Sequence, residues 1–407
     1  MALFRLRKSW VGQYFYYTKK IRLASAPARR CSCIETVLNS DLEKISSWAN
    51  QWLVNFNPSK TEVMFFSFRD IAQPSLTFDN TPLNFVDDHK HLGLTISHDC
   101  SWHTHIINIT SSASKVLSSM RMLKFKVKRS TLNNIYILYL RPLLEYASVV
   151  WDSCTQYEKD TIEKLQYEAA RIVTGLTRSV SIQNLLTEVG WVSLADRRIM
   201  QKLILAYKGN NGLLPDYLID IFPPTVHNSN NYELRNNTTN FVTLPSRLEI
   251  YSKSVIPDSV KLWNNLDSPT HNANTLTSFK SKLKNKFKSP IVPSFYLIGE
   301  RFYNVVQTRI RNRCSNLNND LFYNHLRDYP DCSCGHGIED AEHFFFKCSH
   351  YADARRLLFI NTRRFHPLST HKLLHGIDSL TIEENKSLFL EVQTYIKSTH
   401  RFSSTAS

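Results

Sequence analysis

The sequence predicts an α+β fold that is mostly α-helical. The first observation is a helix–strand–turn–strand pattern between Ser40 and Trp102. The second is a series of later segments whose apolar residues recur every three or four positions, as on one face of a helix. The third is a short C-terminal segment that is rich in Cys and His. We therefore expect a β-hairpin with its helix, then a helical bundle, then a small Cys/His domain.

Composition indicates a basic chain that folds. Of its 407 residues, 42% are hydrophobic and 12% aromatic, which excludes a mainly disordered protein. Fifty Lys and Arg against 35 Asp and Glu give a formal net charge of +15, which favours RNA or DNA as a partner. A basic protein without such a partner is the alternative. No apolar run approaches the ~20 residues that cross a membrane.

Residues 1–35 are predicted to be a basic N-terminal tail or an unrelated exon. No acidic residue precedes Glu35. An acid-free start with several Arg is typical of a mitochondrial presequence, but this one lacks a clear amphipathic helix. The eight Cys, without a secretory signal, indicate a reducing compartment and thiols or metal ligands rather than disulfides. We therefore expect a nuclear or cytoplasmic location.

A helix is predicted to begin at Ser40. Ser40 and Glu43 have the spacing of a capping box, and apolar residues follow at helical intervals as far as Trp52. Pro58 is expected to close the helix.

Two strands should follow this helix. Val63–Phe68 is a β-branched and aromatic run that predicts a buried strand. His91–Ser97 is predicted to be its partner, with Gly93 where a side chain would obstruct the close approach of another backbone.

These residues resemble the end of the palm domain in reverse transcriptases of non-LTR retrotransposons, Jockey-like elements especially. The matching residues are Trp48, Trp52-Leu53, Asn57, Lys60-Thr61, Met64 and Phe66, then Lys90-His91-Leu92-Gly93, Ser101-Trp102 and His105-Ile106. In that family the helix and the Lys-Thr strand form polymerase motif D, and the Leu-Gly hairpin is the primer grip. The resemblance implies that residues 36–103 are the end of a palm and that Lys60, Lys90, His91 and Gly93 contact nucleic acid.

A helical bundle is predicted for residues 104–221. Its second helix, Leu132–Trp151, is apolar almost all round, which places it at the centre, with Pro142 kinking or splitting it. A third helix, Glu158–Thr174, should end at Gly175. By resemblance the bundle is the thumb that holds the primer–template duplex. Basic residues near its first helix are expected to contact phosphates: Lys124, Lys126, Lys128 and Arg129.

Residues 222–290 are predicted to be a connector that contains one basic amphipathic helix. Residues 222–255 are rich in Asn, Pro, Thr and Ser, which indicates a weakly ordered segment. In Thr275–Lys288 an apolar stripe alternates with basic residues that could bind phosphates, although a merely solvated face is the alternative. These basic residues are Lys280, Lys282, Lys284, Lys286 and Lys288.

Residues 291–407 should form a helical domain around a Cys/His cluster. Cys332, Cys334, His343 and Cys348 have the spacing C-x-C-x8-H-x4-C, a ligand set that suits structural Zn²⁺. His336 and His350 are possible substitutes for the imidazole ligand. Buried free cysteines beside an aromatic helix are the alternative. The segment also resembles the Cys/His motif that follows the thumb in these polymerases, where it is associated with nucleic-acid binding.

The acidic residues of a polymerase site are not recognisable. Polymerisation needs paired carboxylates around two Mg²⁺ ions, and the family takes some of them from an aromatic-x-Asp-Asp hairpin before the motif D helix. Here that window contains only Glu35. Phe85-Val86-Asp87-Asp88 matches the aromatic-x-Asp-Asp pattern of that hairpin. It lies after motif D, however, so we predict an ordinary turn.

The sequence thus predicts a truncated non-LTR reverse transcriptase that binds nucleic acid but does not polymerise. In this view Mg²⁺ would serve only an intact parent enzyme. One alternative is an active RNA-directed DNA polymerase whose N-terminal part is missing from this sequence. Another is a zinc-stabilised protein-interaction module without a nucleic-acid role.

Overall fold

A computed structural model describes residues 2–7, 14–19, 28–66, 73–226, 240–288 and 290–402. Within these ranges, side chains are described from residue 35 onward, Ser59 excepted. The chain is 59% helical with few short strands, which confirms a mostly α-helical α+β fold. It divides into two compact units, Met1–Asn108 and Ile109–Ser407. None of the described helices is long and apolar enough to cross a bilayer.

The described part of the first unit contains one long helix and short strands. These are β1 (Ala2–Arg7), β2 (Tyr14–Lys19), α1 (Ala28–Gln51), β3 (Glu62–Phe65), β4 (Thr77–Phe78), β5 (Thr81–Pro82), β6 (Asn84–Phe85), β7 (Asp88–His91) and β8 (Leu94–Ser97). One sheet has the order β2-β1-β3-β6, in which only the β3–β6 pair is parallel. β4–β5 and β7–β8 are antiparallel pairs. Leu38, Leu42 and Ala49 of α1 pack in a core with Val63 and Phe78.

The start predicted for the first helix is wrong. α1 begins at Ala28, so Ser40 lies inside the helix instead of capping it. The residues from Ala28 to Ser40 include no Gly or Pro, and nothing in them stops a helix from extending upstream. Pro58 follows the end of the helix as expected and begins a 3₁₀ turn.

The predicted pairing of His91–Ser97 with the preceding strand is also wrong. β3 pairs with β1 and β6, whereas His91–Ser97 belongs to the β7–β8 hairpin, whose turn lies at Leu92-Gly93. Both turn residues have positive φ, 46° and 87°, which hairpin turns of this length require and which glycine adopts without strain. The turn was not recognised in the sequence because Leu92, an apolar residue, occupies a position where Asn, Asp or Gly is usual. The predicted end of the earlier strand, Ser67-Phe68, lies outside the described residues.

The described part of the second unit is helical. Its helices are α2 (His103–Leu123, which begins in the first unit), α3 (Arg129–Ile135), α4 (Arg141–Glu145), α5 (Ser148–Trp151), α6 (Gln156–Thr174), α7 (Ile182–Val189), α8 (Leu194–Asn210), α9 (Asp216–Ile219), α10 (Glu249–Ser252), α11 (Val255–Asn264), α12 (Ser268–His271), α13 (Leu276–Lys286), α14 (Arg301–Arg311), α15 (Asn318–Tyr323), α16 (Ala352–Asn361), α17 (Thr370–His375) and α18 (Ile382–Ser398). As predicted, α6 ends at Gly175, which has φ 80°.

Pro142 splits the predicted central helix, as expected. A wide π-helical turn, Tyr136–Leu140, separates α3 from α4, and the Arg141 N–H donates to the Tyr136 carbonyl. Proline has no N–H to continue the regular pattern. However, the segment is not buried all round. One stripe is buried, while Leu138 and Tyr139 on the other side are 66% and 64% exposed.

Within residues 222–255, the segment predicted to be weakly ordered, the described part includes two buried aromatic residues, Phe222 and Phe241. Trp263 of α11 is fully buried in a core with Leu203 and Tyr207 of α8 and Phe279 of α13. Phe241 packs in the same core. Residues 227–239 lie outside the described part of the chain. The polar composition of residues 222–255 gave no sign that Phe222 and Phe241 pack in this core with α8.

Candidate metal centre and nucleic-acid interface

The four predicted metal ligands lie together in the second unit. Their ligand atoms, from Cys332, Cys334, His343 and Cys348, are all within 4.8 Å of one another. Cys332 Sγ is 3.7 Å from Cys348 Sγ, and Cys334 Sγ is 3.2 Å from His343 Nε2. Zn–S bonds of about 2.3 Å in a tetrahedral site place two sulfurs about 3.8 Å apart, whereas a disulfide needs about 2 Å. Three free thiols and an imidazole at this spacing suit one metal ion.

A tight turn presents the two cysteines of the C-x-C pair. The Cys332 N–H donates to the Gly337 carbonyl at 2.8 Å, and the His336 N–H donates to Cys334 Sγ at 3.4 Å. Gly335 and Gly337 have φ of 76° and 113°, a conformation that a side chain would strain. The two glycines therefore permit the tight turn that follows Cys334.

A π-helical turn, His343–Lys347, brings the other two ligands together. The Cys348 N–H closes it by donating to the His343 carbonyl at 2.8 Å. In a regular helix residues five apart point in different directions, and this wider turn brings them back to one side. His343 supplies the nitrogen, because His336 and His350 are exposed and lie outside the cluster.

The thiols differ in their readiness to ionise. Burial raises the pKa of Cys332 to about 12 and also raises the pKa of Cys348. The N–H of His336 lowers the pKa of Cys334. A metal binds thiolates and releases their protons, so a bound cation would reverse the effect of burial.

Buried groups hold the metal-binding segment in place. Phe344 and Phe345 are fully buried in the C-terminal core. Glu339 accepts two hydrogen bonds of 2.7 Å from Arg401 and one of 2.9 Å from the Asn318 N–H. Sequence reasoning missed Arg401, because 62 residues separate it from Glu339 and no local pattern links them.

The residues predicted to bind nucleic acid differ in exposure. The exposed residues are Lys60, Lys90, Gly93, Lys126, Lys128, Lys280, Lys284, Lys286 and Lys288, and the half-buried ones are His91, Lys124 and Lys282. The positions between Lys60 and Gly93 belong to the first unit and the others to the second.

Helix α13 combines a docking face and a basic face. Phe279 and Leu283 are fully buried. Lys286 forms an ion pair with Asp267 at 2.6 Å, and Lys282 donates to the Pro269 carbonyl. These two lysines therefore help to hold the preceding α12. Among the described residues, no ion pair involves the remaining three lysines, which present their charge to solvent.

Arg129 corrects the sequence-based expectation. It is only 2% exposed, and its Nη1 donates to Glu188 Oε1 at 2.9 Å. Arg311 reaches the same carboxylate at 2.7 Å. Burial alone would raise the pKa of Glu188, but the guanidinium groups of Arg311 and Arg129 lower it to about 2. Arg129 is therefore part of an interior ion network and not of the basic surface.

Asp87 and Asp88 belong to the hairpin of the first unit. The Asp87 side chain is 90% exposed and lies 3.9 Å from His98. The Asp88 carboxylate accepts hydrogen bonds from Ser97 and, at 3.2 Å, from Thr104. These hydrogen bonds link the start of β7 to the end of β8 and to the first turn of α2. Their interpretation as a non-catalytic turn stays a prediction.

Fold and site together define a basic, mostly helical protein with a Cys3His cluster that could hold a metal ion. In sequence the chain is similar to RNA-directed DNA polymerases of mobile elements. It is 25% identical over 135 residues to the probable enzyme from transposon X-element of Drosophila melanogaster. It is 25% and 24% identical over 141 residues to those from mobile element jockey of Drosophila melanogaster and Drosophila funebris.

These matches cover 32% to 34% of the chain and 15% of each relative. The chain thus matches only a small part of the curated relatives' length. No protein-family model matches it. The resemblance to non-LTR retrotransposon polymerases is confirmed for about a third of the chain.

Proposed function

We propose that this chain is a nucleic-acid-binding part of a non-LTR retrotransposon reverse transcriptase. The similarity to RNA-directed DNA polymerases of jockey and X-element carries this proposal. The net charge of +15 and the exposed lysines support it. Residues 36–103 would be the end of the palm, 104–221 the thumb, 222–290 a connector and 291–407 the Cys/His domain.

We infer that this chain does not polymerise by itself. In the sequence no Asp precedes Asp41, where the family's catalytic hairpin would lie. Asp88 is engaged with hydroxyl groups and Asp87 projects into solvent, so neither is arranged to share a metal. An active polymerase would need carboxylates from elsewhere.

We further propose that the Cys3His cluster holds structural Zn²⁺. All four ligands come from the protein, which leaves no open position for substrate. The ion would fix the His343–Lys347 turn above the Phe344 core and so preserve the surface of the C-terminal domain.

Fluorescence anisotropy with labelled RNA–DNA and DNA duplexes tests the binding proposal. We expect binding that is indifferent to sequence and weakens steeply with salt. Absence of binding at low salt would overturn it and favour a zinc-stabilised interaction module.

Primer extension with Mg²⁺ and dNTPs tests the second inference. We expect no incorporation by the wild-type chain. Incorporation that Asp87→Ala abolishes would identify an active polymerase and show that Asp87 is catalytic.

A further inference from the structure

A cleft of about 1010 Å³ lies in the second unit, between the segment after α2, the start of α14 and the face of α18. Phe125, Lys126 and Lys128 line one side of it. Arg301 and Tyr303 line another, and Lys397 lies at the α18 side. Its volume is at the upper end of the range for sites that enclose small ligands.

The cleft contains an aromatic ring that the fold does not bury. Phe125 is 59% exposed. Lys124 Nζ lies 5.2 Å from the centroid of the Phe125 ring, and Lys397 Nζ lies 5.6 Å from that of Tyr303. Aromatic faces beside cations are the usual composition of sites on which the bases of single strands stack.

The cleft is also rich in positive charge. Lys126 and Lys128 are exposed, and among the described lining residues the one carboxylate, Glu300, is paired with Lys397 at 3.1 Å. The other cation, Arg301, is only 8% exposed.

Arg301 places an uncompensated charge in the cleft wall. Its Nε and Nη2 donate to the carbonyls of Lys124 and Ile172 at 2.9 and 2.8 Å. Nη1 is buried without a hydrogen-bond partner among the described residues, and none of their carboxylates forms an ion pair with this guanidinium. Burial, with Arg129 and Arg309 nearby, lowers the pKa of Arg301 to about 10, so it remains charged at neutral pH.

We propose that this cleft binds a single-stranded segment of nucleic acid, with an unpaired base stacked on Phe125 and the flanking phosphates at Lys126 and Lys128. This proposal rests on the proposed function, and it assigns single-stranded nucleic acid to the cleft. A duplex keeps its bases stacked inside, whereas an unpaired base offers a free face to an aromatic ring. Among the described residues no cation–π contact involves the lysines of α13, which suit the outside of a duplex.

Phe125→Ala in the full chain tests this assignment. Labelled oligouridine and a labelled duplex are titrated separately, with anisotropy as the readout. Loss of one base-stacking contact should weaken oligouridine binding by about 5- to 150-fold. Duplex binding should change less than about twofold, because the phosphate contacts remain. Phe322→Ala is the matched control, because this exposed phenylalanine does not line the cleft.

A second variant tests the phosphate contacts. Lys126→Ala with Lys128→Ala should lower the slope of log K against log salt for oligouridine by about 1.4, since each phosphate contact on a single strand adds about 0.7. Thermal melting confirms that these surface variants fold.

The outcomes are distinct. If oligouridine binds Phe125→Ala as it binds the wild type, while alanine at Lys280, Lys284 and Lys288 weakens duplex binding, the cleft assignment is wrong and the proposed function stands. If the wild type binds neither probe at low salt, both fail.

Discussion

The Cys/His centre and helix α13 place their functional atoms in opposite surroundings. In the centre, Cys332 and Cys348 are buried with their sulfurs 3.7 Å apart. On α13, Lys280 and Lys284 are exposed and take no part in the core. The positions of the close, buried ligands depend on the whole local fold. The positions of the separate, exposed cations depend only on the helix that carries them. Changes in the first region should therefore alter folding, and changes in the second should alter binding.

Metal removal should have the largest effect. We expect the purified protein to carry stoichiometric zinc, and Cys332→Ser to lose it together with stability on the order of 5 kcal/mol. This is less than the ~10 kcal/mol or more of isolated zinc fingers, because a hydrophobic core remains. Cys100→Ser, at an exposed free cysteine, is the control. Metal analysis and thermal melting with and without chelator measure the effect. A metal-free wild type that melts like the variant would contradict the zinc proposal.

Arg129→Ala should have the next largest effect, although it changes a single basic residue of a basic chain. It leaves Glu188 buried with only part of its ion network, which should cost about 3 kcal/mol of unfolding free energy. Lys128→Ala, the exposed neighbour, should change it by less than about 0.5 kcal/mol. Urea unfolding measures both. Equal values would mean that the interior ion pair is not formed in solution.

The same network predicts an acid dependence. Because Arg311 and Arg129 lower the pKa of Glu188 from 4.5 to about 2, its stabilising contribution is present above the unfolded value. It is lost as pH falls from about 4.5 to about 2, and the full loss is about 3 kcal/mol. Glu188→Gln should remove this part of the pH dependence. Unfolding free energies of both proteins across that range measure it, and parallel curves would contradict the depressed pKa.

Sequence reasoning located the Cys/His cluster because its ligands lie close together in the sequence. The Cys and His ligands lie within 17 positions of one another, and their residue types and spacing are sufficient to predict a cluster. Arg129 was misassigned because its partner Glu188 lies 59 residues away. Arg401 was missed for the same reason.

The fold class was predicted correctly, but the pairing of the β-strands was not. Apolar periodicity predicted α6 and α13 of the second unit to within two residues at each end. It did not give the start of α1, where no residue marks a boundary, nor the turn at Leu92-Gly93, where an apolar residue occupies a turn position. Partners that are distant in sequence leave no periodic signal.

Alanine at Lys280, Lys284 and Lys288 should have the smallest effect on stability and a clear effect on binding. Each side chain is exposed, so each change should cost less than about 0.5 kcal/mol. If each lysine contacts one phosphate of a duplex, the slope of log K against log salt should fall by about 2.7. Arginine at the same positions keeps the charge and should keep the slope, which separates loss of charge from damage to α13. An unchanged slope in the alanine variant would show that this face is merely solvated, and duplex binding would then have to involve other cations.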